Sequence, residues 1–358
     1  MIITMKKNCP KSQVGEVIAA LRALELNPHI ITPEPRIVLG VVDEISSAQA
    51  ERTKDAVERL RGVEEINSFE NSWKLVSNSF HPQATTIKLG EKILGGPEIL
   101  VMAGPCAVES QSGYLEAAQA VADRGASALR GGAFKPRTSP YSFRGLGEQG
   151  LKIMSQAREI TGLPFVTEVM RAAEVELVAG YADVLQIGAR NMQNFSLLEA
   201  VGDLDIPVLL KRGMMATLKE LLLSAEYILA RGNGQVMLCE RGVRTFETAT
   251  RNTLDISAVC VLKQLTHLPV VVDPSHAAGK REYVPGLAAA AVAAGADALM
   301  VEVHPQPDKA LSDGRQSLTL PGFAEMMDCL QKVAGAVGRS ITGPKLKKPT
   351  QAKLAEAL

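Results

Sequence analysis

The sequence predicts an α/β protein: a closed barrel of eight parallel strands behind a small N-terminal βαββαβ module. Three observations carry this. The chain has 358 residues, more than one ordinary core organises but suited to an α/β barrel of roughly 250 residues with something attached. From about residue 97, eight short apolar runs alternate with longer segments of helical period. The first 70 or so residues alternate in a different, shorter rhythm.

Taken in order, residues 1–5 read as a strand, 14–26 as a helix, 29–31 and 36–42 as strands, 48–60 as a helix and 63–69 as a strand, each from its period. Asn27-Pro28 stops the first helix and Ser46-Ser47 offers a cap to the second, because proline cannot continue a helix and a serine oxygen satisfies its free N–H groups. The order matches the ferredoxin-like arrangement. Residues 81–96, with His81-Pro82 and breaks at Gly90 and Gly95-Gly96, read as linker and hairpin, so the first domain is placed at 1–80. The apolar runs are 99–103, 128–131, 164–169, 184–187, 207–210, 235–238, 269–272 and 298–301. Their starts lie about 28 residues apart, the length of a strand plus a crossover helix. Eight such units close into a (β/α)8 TIM barrel over 97–340, leaving 341–358 as a surface tail with Lys345, Lys347, Lys348 and Pro349.

Composition narrows the function. Lys plus Arg equals Asp plus Glu at 39 each, so no bulk positive field exists to hold nucleic acid, and any anion site must be built locally. Aromatics at 4% argue against base-stacking platforms. Cys9, Cys106, Cys239, Cys260 and Cys329 form no Cys-x-x-Cys pair, which suggests a reducing cytoplasm rather than a disulfide framework. No signal-type segment opens the chain, and no apolar run approaches the roughly 20 residues that span a bilayer.

Barrel chemistry gathers where the strands end. Those positions carry Cys106; Arg130 with Lys135 and Arg137; Glu168; Arg190; Lys211; Arg241; Asp273 with His276; and Glu302 followed by His304. So many cations around one mouth would be costly unless anions paired with them, so a multiply anionic small substrate is expected. Residues 128–147 contain Arg130, Lys135, Arg137 and Arg144 and no acid. Their arginine forks match phosphate and carboxylate, Thr138 and Ser139 add hydroxyl donors, and Gly131-Gly132 lets a ligand approach the backbone. Cys106, His276, Glu302 and Asp313 form a mixed S, N and O set suited to Mn²⁺, Fe²⁺, Co²⁺ or Zn²⁺. Gly145, Gly147 and Gly150 satisfy G-x-G-x-x-G, but a long basic loop rather than a strand precedes them, so no nicotinamide cofactor is predicted.

The runs AGPCAVES (103–110), LRGGAFKPRTSPYSFRGLGEQGL (129–151), IGARNMQNF (187–195), LLKRGM (209–214) and VDPSHAAGKR (272–281) closely resemble the 3-deoxy-D-arabino-heptulosonate 7-phosphate (DAHP) synthase family. Residues 1–80 resemble the ferredoxin-like regulatory domain of one branch. The resemblance implies condensation of phosphoenolpyruvate with erythrose 4-phosphate, the first step toward chorismate and the aromatic amino acids. It implies Cys106, His276, Glu302 and Asp313 as metal ligands. Arg130 and Lys211 would face the phosphoenolpyruvate carboxylate and Arg190 and Arg241 its phosphate. Lys135 would sit near the reacting carbons, and Arg137, Thr138 and Ser139 would bind the aldose phosphate. Glu168 and Lys135 become candidates for proton transfer, and Asp273 for holding a sugar hydroxyl or a metal ligand. A homotetramer is implied as well. The related octulosonate synthase runs the same chemistry on arabinose 5-phosphate, but Lys135-Pro136-Arg137-Thr138 speaks for the four-carbon sugar. A non-catalytic phosphosugar sensor would have no need of a metal beside two phosphate clamps. For the N-terminal module, the expected role is allosteric, with tyrosine or phenylalanine as effector and His29 as a candidate contact.

Overall fold

The structure, a computed structural model, describes residues 1–341 other than 33–36, 44, 68–72, 138 and 140, with the side chains of 31, 32, 47 and 67 not described. Thr138, the tail beyond 341 and the expected strand ends at 36, 68 and 69 therefore lie outside the described residues. The chain divides into two compact units, Met1–Gln83 and Ala84–Leu358.

The first unit runs β1 (Ile2–Met5), α1 (Lys11–Ala23), β2 (Pro28–Thr32), β3 (Val38–Val41), α2 (Ser47–Glu58) and β4 (Val63–Asn67). The sheet order is β2-β3-β1-β4, with β1 antiparallel to both neighbours, which is the ferredoxin-like topology. Alternate strand residues Ile3, Met5, Leu39 and Val41 share one buried core with Val14, Val17 and Leu21 of α1 and Val57 of α2. Ser46 Oγ accepts from Gln49 N at 3.2 Å, capping α2 as the sequence suggests. α1 begins three residues earlier than its apolar period, because that period marks only the buried face while polar residues 11–13 complete the first turn.

The second unit opens with an antiparallel hairpin, β5 (Ile87–Leu89) and β6 (Lys92–Leu94), turning at Gly90 with φ of 60°. The barrel then follows as β7 (Leu100–Gly104), α3 (Gln111–Asp123), β8 (Ala128–Arg130), α4 (Glu148–Thr161), β9 (Phe165–Val169), α5 (Val175–Ala179), β10 (Val184–Ile187) and α6 (Phe195–Gly202). It continues with β11 (Val208–Lys211), α7 (Leu218–Ala230), β12 (Val236–Glu240), α8 (Ile256–Leu265), β13 (Val270–Val272), α9 (Pro274–Ala278), α10 (Val284–Ala293), β14 (Ala298–Glu302) and α11 (Leu320–Ala336). The eight strands β7 to β14 pair in sequence, all parallel, and β14 closes onto β7 with Ala298 opposite Leu100. Each sits within two residues of its apolar run, because barrel strands are covered on both faces and read as continuous hydrophobic stretches. No described helix is long and apolar enough to cross a membrane.

The barrel interior is filled, by Leu100, Met102, Val166, Val184, Leu209, Met237, Val271 and Met300 among others, and Ile87, Leu89 and Leu94 of the hairpin belong to the same cluster. The hairpin thus extends the barrel's own core, leaving the carboxyl ends of the strands for chemistry. Leu94 is fully buried there. Leu94→Ala should destabilise this unit by about 2–5 kcal/mol, through lost transfer energy and a cavity. The check is a lower urea midpoint with an unchanged slope.

Candidate active site

At the carboxyl ends of the strands a cavity of about 320 Å³ is lined by Arg130, Lys135, Arg137, Arg190, Lys211, Arg241 and Arg251, with Ser139, Ser142, Gln186, Glu168, His276 and Asp313 among its other walls. Seven cations thus face two acids across a space the size of a small phosphorylated molecule.

Behind one wall lies the mixed donor cluster. Cys106 follows β7, His276 lies in α9, Glu302 ends β14, and Asp313 stands on the loop after it. One ligand atom from each lies within 4.8 Å of all the others. Cys106 Sγ is 3.2 Å from Asp313 Oδ2, and His276 Nε2 is 3.4 Å from Glu302 Oε1 and 3.9 Å from Asp313 Oδ2. These four fit a divalent transition metal on their own chemistry: a soft thiolate, an imidazole and two carboxylates converge at one point. Asp313 reaches it from a left-handed backbone (φ 53°), rare for a residue with a side chain.

Charge and burial prepare each donor. Asp273 caps α9, accepting from His276 N at 2.9 Å through Oδ1, while its Oδ2 lies 2.8 Å from His276 Nδ1. That contact directs Nε2 toward the cluster. Burial lowers the His276 pKa despite Asp273 and Glu302, so the ring is neutral at pH 7. Burial, reinforced by Glu302, pushes the Cys106 thiol up to about 12. A dication there would reverse this, since a coordinating thiol is deprotonated outright. Against burial, His276 and Arg251 hold the Asp313 carboxyl below the usual carboxylate range.

The cations are tied to these same acids. Arg130 Nη1 donates to Glu302 Oε1 at 3.1 Å and to the Pro105 carbonyl at 2.8 Å, both side chains being almost wholly buried. Its Nε is buried and unpartnered among the described residues, so its fork is only partly used. Lys211 pairs closely with Asp273 Oδ2. Lys135 Nζ donates to the Cys106 carbonyl at 3.0 Å and reaches its Sγ at 3.1 Å. Burial opposes the charge on Lys135, but Cys106, Glu168 and Glu302 outweigh it and raise its pKa.

On the far wall Glu168 is 7% exposed and receives Gln186 Nε2 at 3.4 Å. A Cβ at Gly188 would stand 2.0 Å from Glu168 Oε1, so only glycine leaves room for the carboxylate. Arg137 half-buries its guanidinium between the Phe143 carbonyl (2.8 Å) and the Leu311 carbonyl (3.0 Å), Ser139 is exposed at the rim, and Arg190 stands on a single 3-10 turn, Ala189–Asn191.

Four strand-end residues do not line this cavity: Cys106 and Glu302 lie behind its wall in the donor cluster, and Asp273 and His304 are held elsewhere. Asp273 is wholly buried, bonded to Lys211 and His276, the position of an orienting partner rather than of a sugar contact. His304 turns instead toward Glu109, Nε2 to Oε2 at 3.6 Å, in a separate cavity of about 280 Å³. His29 is exposed on β2 in the first unit. Conversely, sequence reasoning missed Arg251 and Gln186. Arg251 lies eleven positions beyond the end of β12, out of reach of a rule that reads only strand ends. Gln186 had a visible signal, a lone polar residue inside an apolar run.

Comparison with known proteins agrees with the motifs. The model of the DAHP synthetase I family matches residues 81–337, and that of the DAHP synthase ferredoxin-like domain matches 1–68. The chain is 46% identical over 338 residues to a phospho-2-dehydro-3-deoxyheptonate aldolase of Thermotoga maritima, covering 94% of this chain and 99% of that one. A 2-dehydro-3-deoxyphosphooctonate aldolase of Acidithiobacillus ferrooxidans is 36% identical over 253 residues, covering 65% of this chain and 88% of the other. The crystal structure of the Thermotoga maritima DAHP synthase superposes with a TM-score of 0.75 at 45% identity, over 95% of this chain and 98% of that one. In sequence, in fold and in the residues gathered at the barrel mouth, this chain belongs to the DAHP synthetase I family.

Proposed function

We propose that this chain condenses phosphoenolpyruvate with erythrose 4-phosphate to give 3-deoxy-D-arabino-heptulosonate 7-phosphate and phosphate, the first step toward chorismate, with residues 97–340 as the catalytic domain. The observation that carries the reading is a single cavity where seven cations meet His276 and Asp313 of a thiol, imidazole and dicarboxylate cluster. Cys106, His276, Glu302 and Asp313 hold the metal, with Mn²⁺, Fe²⁺, Co²⁺ and Zn²⁺ all suited to the donor set. When bound, a metal there supplies a Lewis acid toward the aldehyde oxygen.

Arg130, with its unused Nε, and Lys211 hold the phosphoenolpyruvate carboxylate, and Arg190 and Arg241 its phosphate. Arg137 and Ser139, with Thr138, grip the aldose phosphate at the rim. Fixed cations let two anions share a pocket in which their charges would otherwise repel. So clamped, C3 of the enol phosphate bonds to the aldehyde carbon, leaving C2 oxocarbenium-like. Water adds at C2, and the hemiketal phosphate expels phosphate by C–O cleavage. Glu168 takes the water's proton, and Lys135, held by Cys106, donates one to a developing oxyanion. Residues 1–80 form the regulatory domain, with 81–96 as linker and hairpin. The protein works in the cytoplasm as a homo-oligomer, a tetramer by family resemblance.

Three outcomes follow. Chelation, or Cys106→Ser in folded protein, should remove most phosphate release from the two substrates, and Mn²⁺ should restore the chelated wild type. Full activity after thorough chelation overturns the metal assignment, and faster turnover of arabinose 5-phosphate would move the chain to the octulosonate reaction. Arg137→Ala should raise KM for erythrose 4-phosphate far more than for phosphoenolpyruvate, and Arg190→Ala the reverse, since losing one charge-assisted fork costs about 1.5–3 kcal/mol. Both mutants weakening one substrate alone would refute the division of the anion sites. Millimolar tyrosine or phenylalanine should inhibit the full-length enzyme and leave a variant lacking residues 1–80 untouched. An intact enzyme indifferent to both would make the module structural.

A further inference from the structure

Each carboxylate of the donor cluster presents one oxygen inward and has the other tied from behind. Inward lie Glu302 Oε1, 3.4 Å from His276 Nε2, and Asp313 Oδ2, 3.2 Å from Cys106 Sγ. Outward, Glu302 Oε2 accepts from Gln316 Nε2 at 2.6 Å, and Asp313 Oδ1 accepts from Arg251 Nη1 at 3.0 Å. The same Arg251 Nη1 donates to Gln316 Oε1 at 3.0 Å. One chain of hydrogen bonds, Asp313 to Arg251 to Gln316 to Glu302, therefore closes the back of the cluster. Arginine only donates, so the amide oxygen must face Arg251 and the amide nitrogen must face Glu302, which fixes the orientation of Gln316.

The frame around this chain is stiff. Gln316 is 2% exposed and stands two residues before Leu318, whose N–H donates to the Glu302 carbonyl at 2.8 Å. Gly314 makes the turn, since a Cβ there would stand 2.1 Å from the Pro307 carbonyl. Ser317 Oγ donates to the Asp313 carbonyl at 3.1 Å. The amide thus reaches Glu302 from a backbone already registered to the end of β14.

We propose that Gln316, braced by Arg251, is a positioning residue that holds Glu302 and Asp313 as one-oxygen ligands and thereby sets metal affinity. The inference rests on the reading of Cys106, His276, Glu302 and Asp313 as the metal centre. A carboxylate with its second oxygen occupied offers a single directed donor, which favours a compact four-donor set over the many-oxygen shells that Ca²⁺ takes. Partners behind metal ligands typically contribute about 10–100-fold in affinity.

The test uses the full-length protein, stripped by chelator and titrated with Mn²⁺ by calorimetry and with Co²⁺ by its thiolate charge-transfer absorption. Wild type should bind one ion per chain, and His276→Ala should lose it. Gln316→Leu, similar in volume but without hydrogen bonds, should bind Mn²⁺ about 10–100-fold more weakly and shift the Co²⁺ band, while still giving a cooperative metal-free melt. Arg251→Met should weaken binding too, and the double variant should lose less than the product of the two factors, because both act through one chain. Wild-type Mn²⁺ affinity and an unmoved Co²⁺ band in Gln316→Leu overturn the proposal while leaving the metal centre standing. A wild type that binds neither ion overturns the metal reading and the proposal with it. Should Gln316→Leu fail to give a cooperative melt, Arg251→Met decides, and unchanged affinity there is equally fatal.

Discussion

Asp273 and Glu302 have no solvent exposure, and everything at the barrel mouth depends on how their charges are balanced. They lie at the carboxyl ends of the paired strands β13 and β14, where water cannot solvate them, and an unpaired ion there would cost several kcal/mol. Each acid is therefore shared. Asp273 Oδ2 is shared by Lys211 and His276 Nδ1 while its Oδ1 accepts from His276 N, and Glu302 divides its oxygens between Arg130 and Gln316. Lys211 and His276 together hold the Asp273 carboxyl far below the ordinary carboxylate range, against the burial that opposes it. The charged form of Asp273 is thus favoured by its partners, not by solvent.

This sharing joins two functions that could have been separate. Arg130 and Lys211 line the cavity, yet their partners are Glu302 of the donor cluster and Asp273, which orients His276. Removing either cation would leave a buried carboxylate uncompensated, at a cost of about 3–5 kcal/mol, and would disturb the donor cluster as well as the anion site. The cavity as a whole still carries more positive than negative lining. Under the proposed function, Arg190, Arg241 and Arg137 meet the charges of the ligands. A preorganised pocket of this kind repays the cost of gathering cations only when anions enter it.

Much of this was legible in the sequence, for physical reasons that also mark where legibility ends. Parallel barrel strands must be apolar on both faces, so Val184 to Ile187 and its fellows stood out, and the polar residue after each run was already near the mouth. Long loops broke that rule. Arg251 and Gln316 join the centre from the loops after β12 and β14, and no period or spacing links them to Glu302. His304 shows the opposite failure: it lies two residues beyond Glu302 but outside the ladder, where the chain has begun to turn and Glu109 captures the ring. In the small module the apolar period recovered α1 but placed it late. Leu26 is buried although the helix ends at Ala23, because Glu25 takes a left-handed conformation (φ 60°) and folds the chain back onto the core.

The loops around the cavity are also fastened to one another. Arg137, on the basic loop after β8, donates to the Leu311 carbonyl, and the Leu311 N–H donates to Glu109 at 2.8 Å. Leu311 is two residues from Asp313, so the basic loop after β8 and the segment that carries a member of the donor cluster are fastened to each other through the backbone groups of one residue. A sugar phosphate held by Arg137 has its aldehyde at the opposite end of a short carbon chain. Under the proposed function, the placing of Arg137 relative to the donor cluster would therefore matter to how that aldehyde is presented. Misplacement by even about 1 Å is enough to lose much of the advantage of a fixed near-attack geometry.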